Sequence, residues 1–367
     1  MQNLTMKDLA EHFGVSLNTI HKAINGKAGV SDQTRAKILA YAAANGYRVN
    51  PIASTLKKKE LRIGICYPGK SPDSRFFYDA VWRGIRHYFD ENERLYNIRA
   101  VEFPYHVGQQ TDVLDQLLSS SESEALDGLL LNPPRSSSGL QALRLLERKG
   151  LPVVFVTDDN PESHCLGAVG ADYYTAGRMM AEQFLNLREE GGDILLLSGD
   201  PAKDSHYLMC QGFSDYNREN KSRLHIRNIC GYRNIPQTRR DFVAALRAQK
   251  PDLCGSVYAV GSALLSEVLT EEGLAGKVLA IGNDLFRENV AALENGTFRN
   301  LVYKNPERQG YLSAKMLCDY LVSHIEPAEK HIRVEASMIF RSNVFYYTDL
   351  AHHAEGVTAP LSPSASA

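Results

Sequence analysis

From Leu61 onward the chain alternates between two hydrophobic rhythms. Short apolar or alternating runs recur as LRIGICY, YNIRAVEF, LDGLLLN, LPVVFVT, CLGAVG, GDILLLSG, LHIRNIC, GSVYAV, KVLAIG and RNLVY. Runs of this length and composition predict strands, many of them buried on both faces. Between most of them lie amphipathic stretches such as Tyr78–Glu91, Ser137–Lys149, Tyr174–Arg188 and Pro306–Val322, which predict helices. Strand–helix alternation implies parallel sheets covered by helices on both faces. Ten strands are many for one open sheet, so the pattern predicts two doubly wound α/β lobes.

Before Leu61 the rhythm is helical throughout. Leu9 and Phe13 fall four apart on one face of a short helix, and Gly14 supplies a left-handed turn. Ser16 can cap a second helix with Ile20, Ala23 and Ile24 turned inward. Leu17, Asn18, His21 and Lys22 turn outward, and Asn25-Gly26 stops the helix. An exposed face of Asn, His and Lys near a helix N-terminus suits the DNA major groove, where Asn can bond adenine and Lys can donate to guanine. A third helix is capped by Ser31 and turns Ile38, Leu39, Ala42 and Ala43 inward. After it, Asn50-Pro51 opens a segment of about two turns, too short to hold as a helix alone in water. It should fold only when something stabilises it.

Charge sharpens this division. Residues 1–60 hold nine Lys/Arg against four Asp/Glu, whereas residues 61–367 hold 32 against 39. A basic head on an acidic body fits a nucleic-acid module joined to something with another task. No apolar run is long enough to span a membrane, and the N-terminus shows no signal-peptide core. Cys66, Cys165, Cys210, Cys230, Cys254 and Cys318 lack metal spacing and read as buried free thiols. The expected location is the cytoplasm, with no membrane partner.

Taken together, MKDLAEHFGVSLNTIHKAINGKAGVSDQTRAKILAYAAANGYRVNPIASTL resembles the headpiece and hinge of the lactose repressor/galactose repressor family of bacterial transcription regulators. The matching features are DLA…GVS…T, the ING close, VS..TR.KI, GY..N and A..L, running from Met6 to Leu56. The resemblance implies a helix-turn-helix headpiece over 1–49 and a hinge helix and linker over 50–60. It implies a two-lobed periplasmic-binding-protein-like core over 61–347, and 348–367 reads as a disordered tail. It implies that Ser16, Thr19, Asn25, Ser31 and Thr34 hold phosphates or fix the headpiece, and that Leu17, Asn18 and Lys22 read bases. Lys22 replaces the usual Arg, and His21 replaces a small Ser, which adds a contact. Asn50, Ala53 and Leu56 match the hinge, with Leu56 as an apolar wedge in the minor groove of a palindrome bound by a homodimer.

In the body, Asn132, Asp158, Asp159 and Asp284 directly follow expected strands, and Arg75, Phe77 and Tyr78 follow the first. Ligands of such sheets bind beyond the carboxyl ends of the strands. Carboxylates between aromatic walls suit a sugar, polyol or sugar acid. The resemblance implies ligand contacts for Asp284, Asn132, Phe77 and Tyr78. It also marks two departures: Met209 replaces a ligand-gripping Arg, with His206 as a stand-in, and Lys304 replaces a common Gln. Arg75 and Lys304 could pair an anionic effector.

One motif points elsewhere. Gly64–Ser71, GICYPGKS, fits the G-x-x-x-x-G-K-[ST] phosphate loop. Its Ile65, Cys66 and Tyr67 continue a strand, however, and Pro68 and Pro72 remove backbone donors that such a loop needs. No dinucleotide fingerprint or nucleophile elbow accompanies it. A transport-type solute receptor would share the body but not the headpiece. The expectation is a ligand-responsive DNA-binding repressor, not an enzyme, with no cofactor or metal.

Overall fold

The computed structural model describes residues 6–24, 29–44, 60–69, 71–92, 96–106, 108–119, 125–160, 163–232 and 234–348. The side chain of His21 and the residues Asn25, Asn50, Ala53 and Leu56 lie outside the described part, as do Lys70 and the tail beyond Thr348. The chain divides into two compact units, one of residues 1–59 with 94–97 and one of 60–93 with 98–367.

In the first unit, α1 (Met6–Phe13), α2 (Leu17–Ile24) and α3 (Asp32–Ala44) close on a small core. Leu9, Ala10, Ile20, Ala23, Ile38 and Ala42 are buried, with Phe13, Val15, Ile24 and Tyr41 packed around them. Gly14 makes the expected left-handed turn, at φ 63°. Leu39, expected inward, is instead 43% exposed. Ile38, Tyr41 and Ala42 keep the i, i+3, i+4 spacing of the inward stripe, and Leu39 lies one helical step outside it.

The second unit holds two six-stranded sheets. The first lobe orders its strands β11-β5-β4-β3-β1-β2, all parallel. They are β1 (Leu61–Cys66), β2 (Ile98–Glu102), β3 (Gly128–Leu131), β4 (Val153–Thr157), β5 (Gly167–Ala171) and β11 (His331–Val334). The second lobe orders them β12-β10-β9-β8-β6-β7, parallel except for β10 with β12. These are β6 (Gly192–Gly199), β7 (Leu224–Cys230), β8 (Leu253–Ser256), β9 (Leu279–Asn283), β10 (Asn300–Tyr303) and β12 (Ser337–Ile339). Among the described residues, twelve strands thus replace the expected ten, because the short edge strands β11 and β12 carry little apolar signal. The GSVYAV run is only half strand. β8 ends at Ser256, whose Oγ accepts from the Tyr258 amide, and Ala259 starts a helix.

Nine helices cover the sheets among the described residues: α4 (Tyr78–Asn92), α5 (Gln110–Ser119), α6 (Ser137–Arg148), α7 (Tyr173–Leu187), α8 (Asp204–Glu219), α9 (Ile235–Gln249), α10 (Ala259–Glu271), α11 (Arg287–Glu294) and α12 (Pro306–Ser323). The chain crosses between lobes three times, at β5 to α7, at β10 to α12 and at β11 to β12. Helix α12 therefore belongs to the first lobe, packed on α4 and on β3, β4 and β5. Of the cysteines, Cys66, Cys254 and Cys318 are buried, but Cys230 is exposed, contrary to expectation. No helix of the described residues is long and apolar enough to cross a membrane.

Candidate nucleic-acid interface and effector cavity

Both capping serines on the headpiece act as expected. The Thr19 amide donates to Ser16 Oγ at 3.1 Å, and the Thr34 amide donates to Ser31 Oγ at 3.3 Å. Each cap is doubled by a hydroxyl pair, Ser16 with Thr19 at 2.9 Å and Ser31 with Thr34 at 2.8 Å. Helix N-termini built this way present amides and hydroxyls suited to phosphate oxygens. On α2, Leu17 is 52% exposed and Asn18 is also exposed. Lys22 is half-buried and leans toward residue 29, where a Cβ on Gly29 would come within 3.3 Å of its Nζ.

In the core, the carboxyl ends of both sheets face one cavity. An inner chamber of ≈ 50 Å³ is lined by six of the expected residues: Phe77, Tyr78, Asp158, His206, Asp284 and Lys304. It shares Tyr78 and Asp158 with an outer chamber of ≈ 550 Å³ that Asn132 lines. A larger groove of ≈ 820 Å³ lies elsewhere, beside Arg144, Leu151 and Tyr320, near the amino ends of β4 and β5. Parallel sheets place ligands at the opposite ends of their strands, so the interlobe cavity is the better candidate.

Two buried carboxylates enter the chamber from corresponding places, the ends of the fourth strand in each lobe. Asp158 follows β4; its Oδ2 accepts from Asn132 Nδ2 at 3.4 Å, while Oδ1 has no partner. Asp284 follows β9, with Lys304 Nζ 2.8 Å from its Oδ2. Neither Asp284 oxygen accepts a well-directed hydrogen bond. Burial raises the Asp284 pKa, with Lys304 opposing it. Strain accompanies the chemistry. Thr157 and Asp284 hold φ of 69° and 66°, which a β-branched threonine rarely adopts. Tyr173 Oη fixes the Thr157 carbonyl at 2.6 Å, and Asn289 Nδ2 fixes that of Asp284 at 2.8 Å.

His206 is buried, and its Nδ1 accepts from the Asp200 amide at 3.0 Å. Burial lowers its pKa well below the ordinary histidine value, and Lys203, Lys304 and Arg135 lower it further. The ring is neutral, with its proton on Nε2.

Two expected residues stand elsewhere. Met209 lies in the second-lobe core at 0% exposure, because it sits on the inward face of α8. Arg75 lines neither chamber; its Nη1 meets Glu288 Oε1 at 2.5 Å, joining the lobes. Arg135 with Asp204 at 2.9 Å, and Tyr78 Oη with Tyr232 Oη at 2.6 Å, are two further ties between lobes. An anion gripped jointly by Arg75 and Lys304 does not fit, since each already faces a carboxylate. Asp159 pairs with His331 at 2.8 Å, away from the cavity.

Sequence reasoning passed over Lys203, Tyr232 and Tyr258, all of which line the inner chamber. Lys203 and Tyr232 follow β6 and β7 within a few residues, so the rule that picked out Asp158 applied equally to them.

The phosphate-loop alternative loses its donors. The Gly69 amide donates to Tyr105 O at 3.0 Å, and Pro68 O accepts from Trp82 Nε1 at 2.8 Å. A five-residue 3-10 helix, Pro72–Phe76, follows instead of a long helix.

A helix-turn-helix unit in one chain with a two-lobed α/β core, its polar cavity between the lobes, defines a ligand-binding core carrying a DNA-binding head. The chain belongs to the lacI family of bacterial regulatory proteins. Residues 5–50 match that family, and residues 65–324 match the periplasmic binding protein domain. It is 31% identical over 128 residues to the ribose operon repressor of Haemophilus influenzae, covering 35% of this chain and 36% of that one. It is 28% identical over 176 residues to catabolite control protein A of Priestia megaterium, covering 47% and 49%. These matches span a third to a half of the relatives' length. A glucose-galactose binding protein of Geobacillus stearothermophilus superposes with a TM-score of 0.67 at 17% identity, covering 78% of this chain and 99% of that one.

Proposed function

We propose that the protein is an effector-controlled transcription regulator, and specifically a repressor, that binds a palindromic operator as a homodimer in the cytoplasm. The observation that carries this reading is the pairing, in one chain, of a capped recognition helix with a cavity holding two buried carboxylates whose oxygens are only partly satisfied. Leu17, Asn18 and Lys22 read bases in the major groove, His21 adds a base or phosphate contact, and Ser16, Thr19, Asn25, Ser31 and Thr34 hold phosphates or fix the headpiece. Asn50, Ala53 and Leu56 belong to a hinge helix that folds on the minor groove. The effector is a small polyhydroxylated molecule, because buried carboxylate oxygens without partners need hydroxyl donors, and aromatic rings suit sugar C–H faces. The name of the ribose operon repressor relative is in keeping with a sugar-related ligand.

Effector control requires unequal affinity for two states of the core. The lobes close by hinge motion at the three crossings, and that closure alters the support given to the hinge helices. The test is selection of duplexes from a random pool by the full chain, followed by titration of the selected site. A two-fold symmetric consensus, bound far more tightly than scrambled DNA and responsive to a small molecule, is the expected result. Equal affinity for all duplexes would overturn the reading.

A further inference from the structure

Among the described basic side chains near the cavity, Lys203 is the one with no carboxylate in ion-pair contact, Asp158 acting on it only from further off. Lys304 faces Asp284 at 2.8 Å, Arg135 faces Asp204 at 2.9 Å and Arg75 faces Glu288 at 2.5 Å. Lys203 is half-buried, with its Nζ 3.5 Å from Tyr78 Oη and 4.8 Å from the Tyr232 ring centroid. Burial opposes its charge, but Tyr232, Tyr78 and Asp158 outweigh that and raise its pKa, so it is an ammonium at neutral pH. An ammonium partly withdrawn from water with no carboxylate in contact is costly unless a ligand completes the site.

The groups beside it are donors too. Tyr78 and Tyr232 share one hydrogen bond at 2.6 Å, which uses one phenolic proton and leaves the other. His206 offers Nε2–H, since its Nδ1 is occupied by the Asp200 amide. Elsewhere in the same chamber the need is opposite: Asp158 Oδ1 has no donor, and the Asp284 carboxylate is faced only by Lys304, 2.8 Å from its Oδ2, which leaves Oδ1 to be satisfied. A molecule that satisfies both sets is anionic at one end and hydroxylated at the other.

We propose that the effector is a sugar acid, a polyhydroxy monocarboxylate whose carboxylate meets Lys203 and the Tyr78–Tyr232 phenols while its hydroxyls donate to Asp158 and Asp284. This assignment rests on the regulator reading above and narrows its ligand. Charge selects a carboxylate over a phosphate ester. Among the described residues, four aspartates and three basic side chains line the two chambers, a field that opposes a dianion more than a monoanion.

The experiment is isothermal titration of the full chain with three matched probe sets: hexoses and hexitols, aldonates and uronates, and hexose phosphates. An aldonate or uronate should bind better than its neutral and phosphorylated counterparts, with affinity falling as salt rises. Lys203→Met should weaken that binding about tenfold or more, and Lys203→Arg should retain part of it. The wild-type comparison among probe sets stands even if a variant fails to fold. Preference for a neutral sugar or a phosphate ester, or acid binding unchanged in Lys203→Met, overturns the sugar-acid assignment but leaves an effector-controlled regulator. Failure of all three sets while operator binding is intact overturns the polyhydroxylated effector itself. Failure of operator binding overturns the regulator reading.

Discussion

Burying Asp284 beside Lys304 takes two charges out of water, and their side chains are only 1% and 6% exposed. Removing one partner of such a pair strands the other, at a typical cost of 3–5 kcal/mol, whereas removing both is often nearly neutral. Lys304→Met should therefore lower stability by about 3 kcal/mol in urea denaturation, and adding Asp284→Asn should recover most of it. Acidity should modulate the single variant. Burial already raises the Asp284 pKa and Lys304 opposes that rise. A carboxyl with a raised folded pKa contributes stability that is full in acid and lost as pH rises through that value. Without Lys304 the loss extends over a wider range, so the deficit should be largest at neutral pH and shrink on acidification. A deficit independent of pH would contradict this account.

Residues of this kind were only partly legible in advance. Phe77, Tyr78, Asp158 and Asp284 could be picked out because topology places residues after parallel strands at a shared edge. Met209 could not be judged that way, since its direction depends on which face of α8 turns inward. Nor could Arg75, whose partner Glu288 is distant in sequence.

At the scale of elements, each lobe joins two helices backbone to backbone through glycines. In the first lobe, a Cβ on Gly84 of α4 would overlap the Glu307 carbonyl, and one on Gly310 of α12 would overlap that of Val81. In the second, Gly177 of α7 and Gly212 of α8 meet the carbonyls of Met209 and Tyr174 in the same way. A side chain there must push backbone apart, not a flexible neighbour. Gly177→Ala and Gly310→Ala should each cost about 3 kcal/mol, at the upper end for overpacking, read as a lowered urea midpoint. A loss within experimental error would mean the helices separate freely. The helices themselves and the two-lobe division follow from hydrophobic period. Strands β11 and β12 do not, because a three- or four-residue edge strand is defined by its neighbour's hydrogen bonds and not by its own composition.

At the scale of the molecule, the proposed hinge couples operator shape to the effector. If Leu56 wedges a base step, Leu56→Ala should reduce operator affinity by tenfold or more, on the order of 1.4 kcal/mol, and leave affinity for random duplex within about twofold. Fluorescence anisotropy on both DNAs measures this, and equal losses would remove the wedge.

The path of the chain also bears on how the protein is made. Helix α12 and strand β11 complete the first lobe, yet they come after nearly all of the second. A nascent chain on the ribosome therefore exposes its recognition helix early, while the lobe nearest to it in sequence waits for residues 306–334 to emerge. A gene truncated before codon 306 would leave the coding sequence for the headpiece intact and both lobes unfinished. Its product would be free of effector control, and such alleles should act as constitutive DNA binders or be cleared by proteolysis, but not respond to ligand.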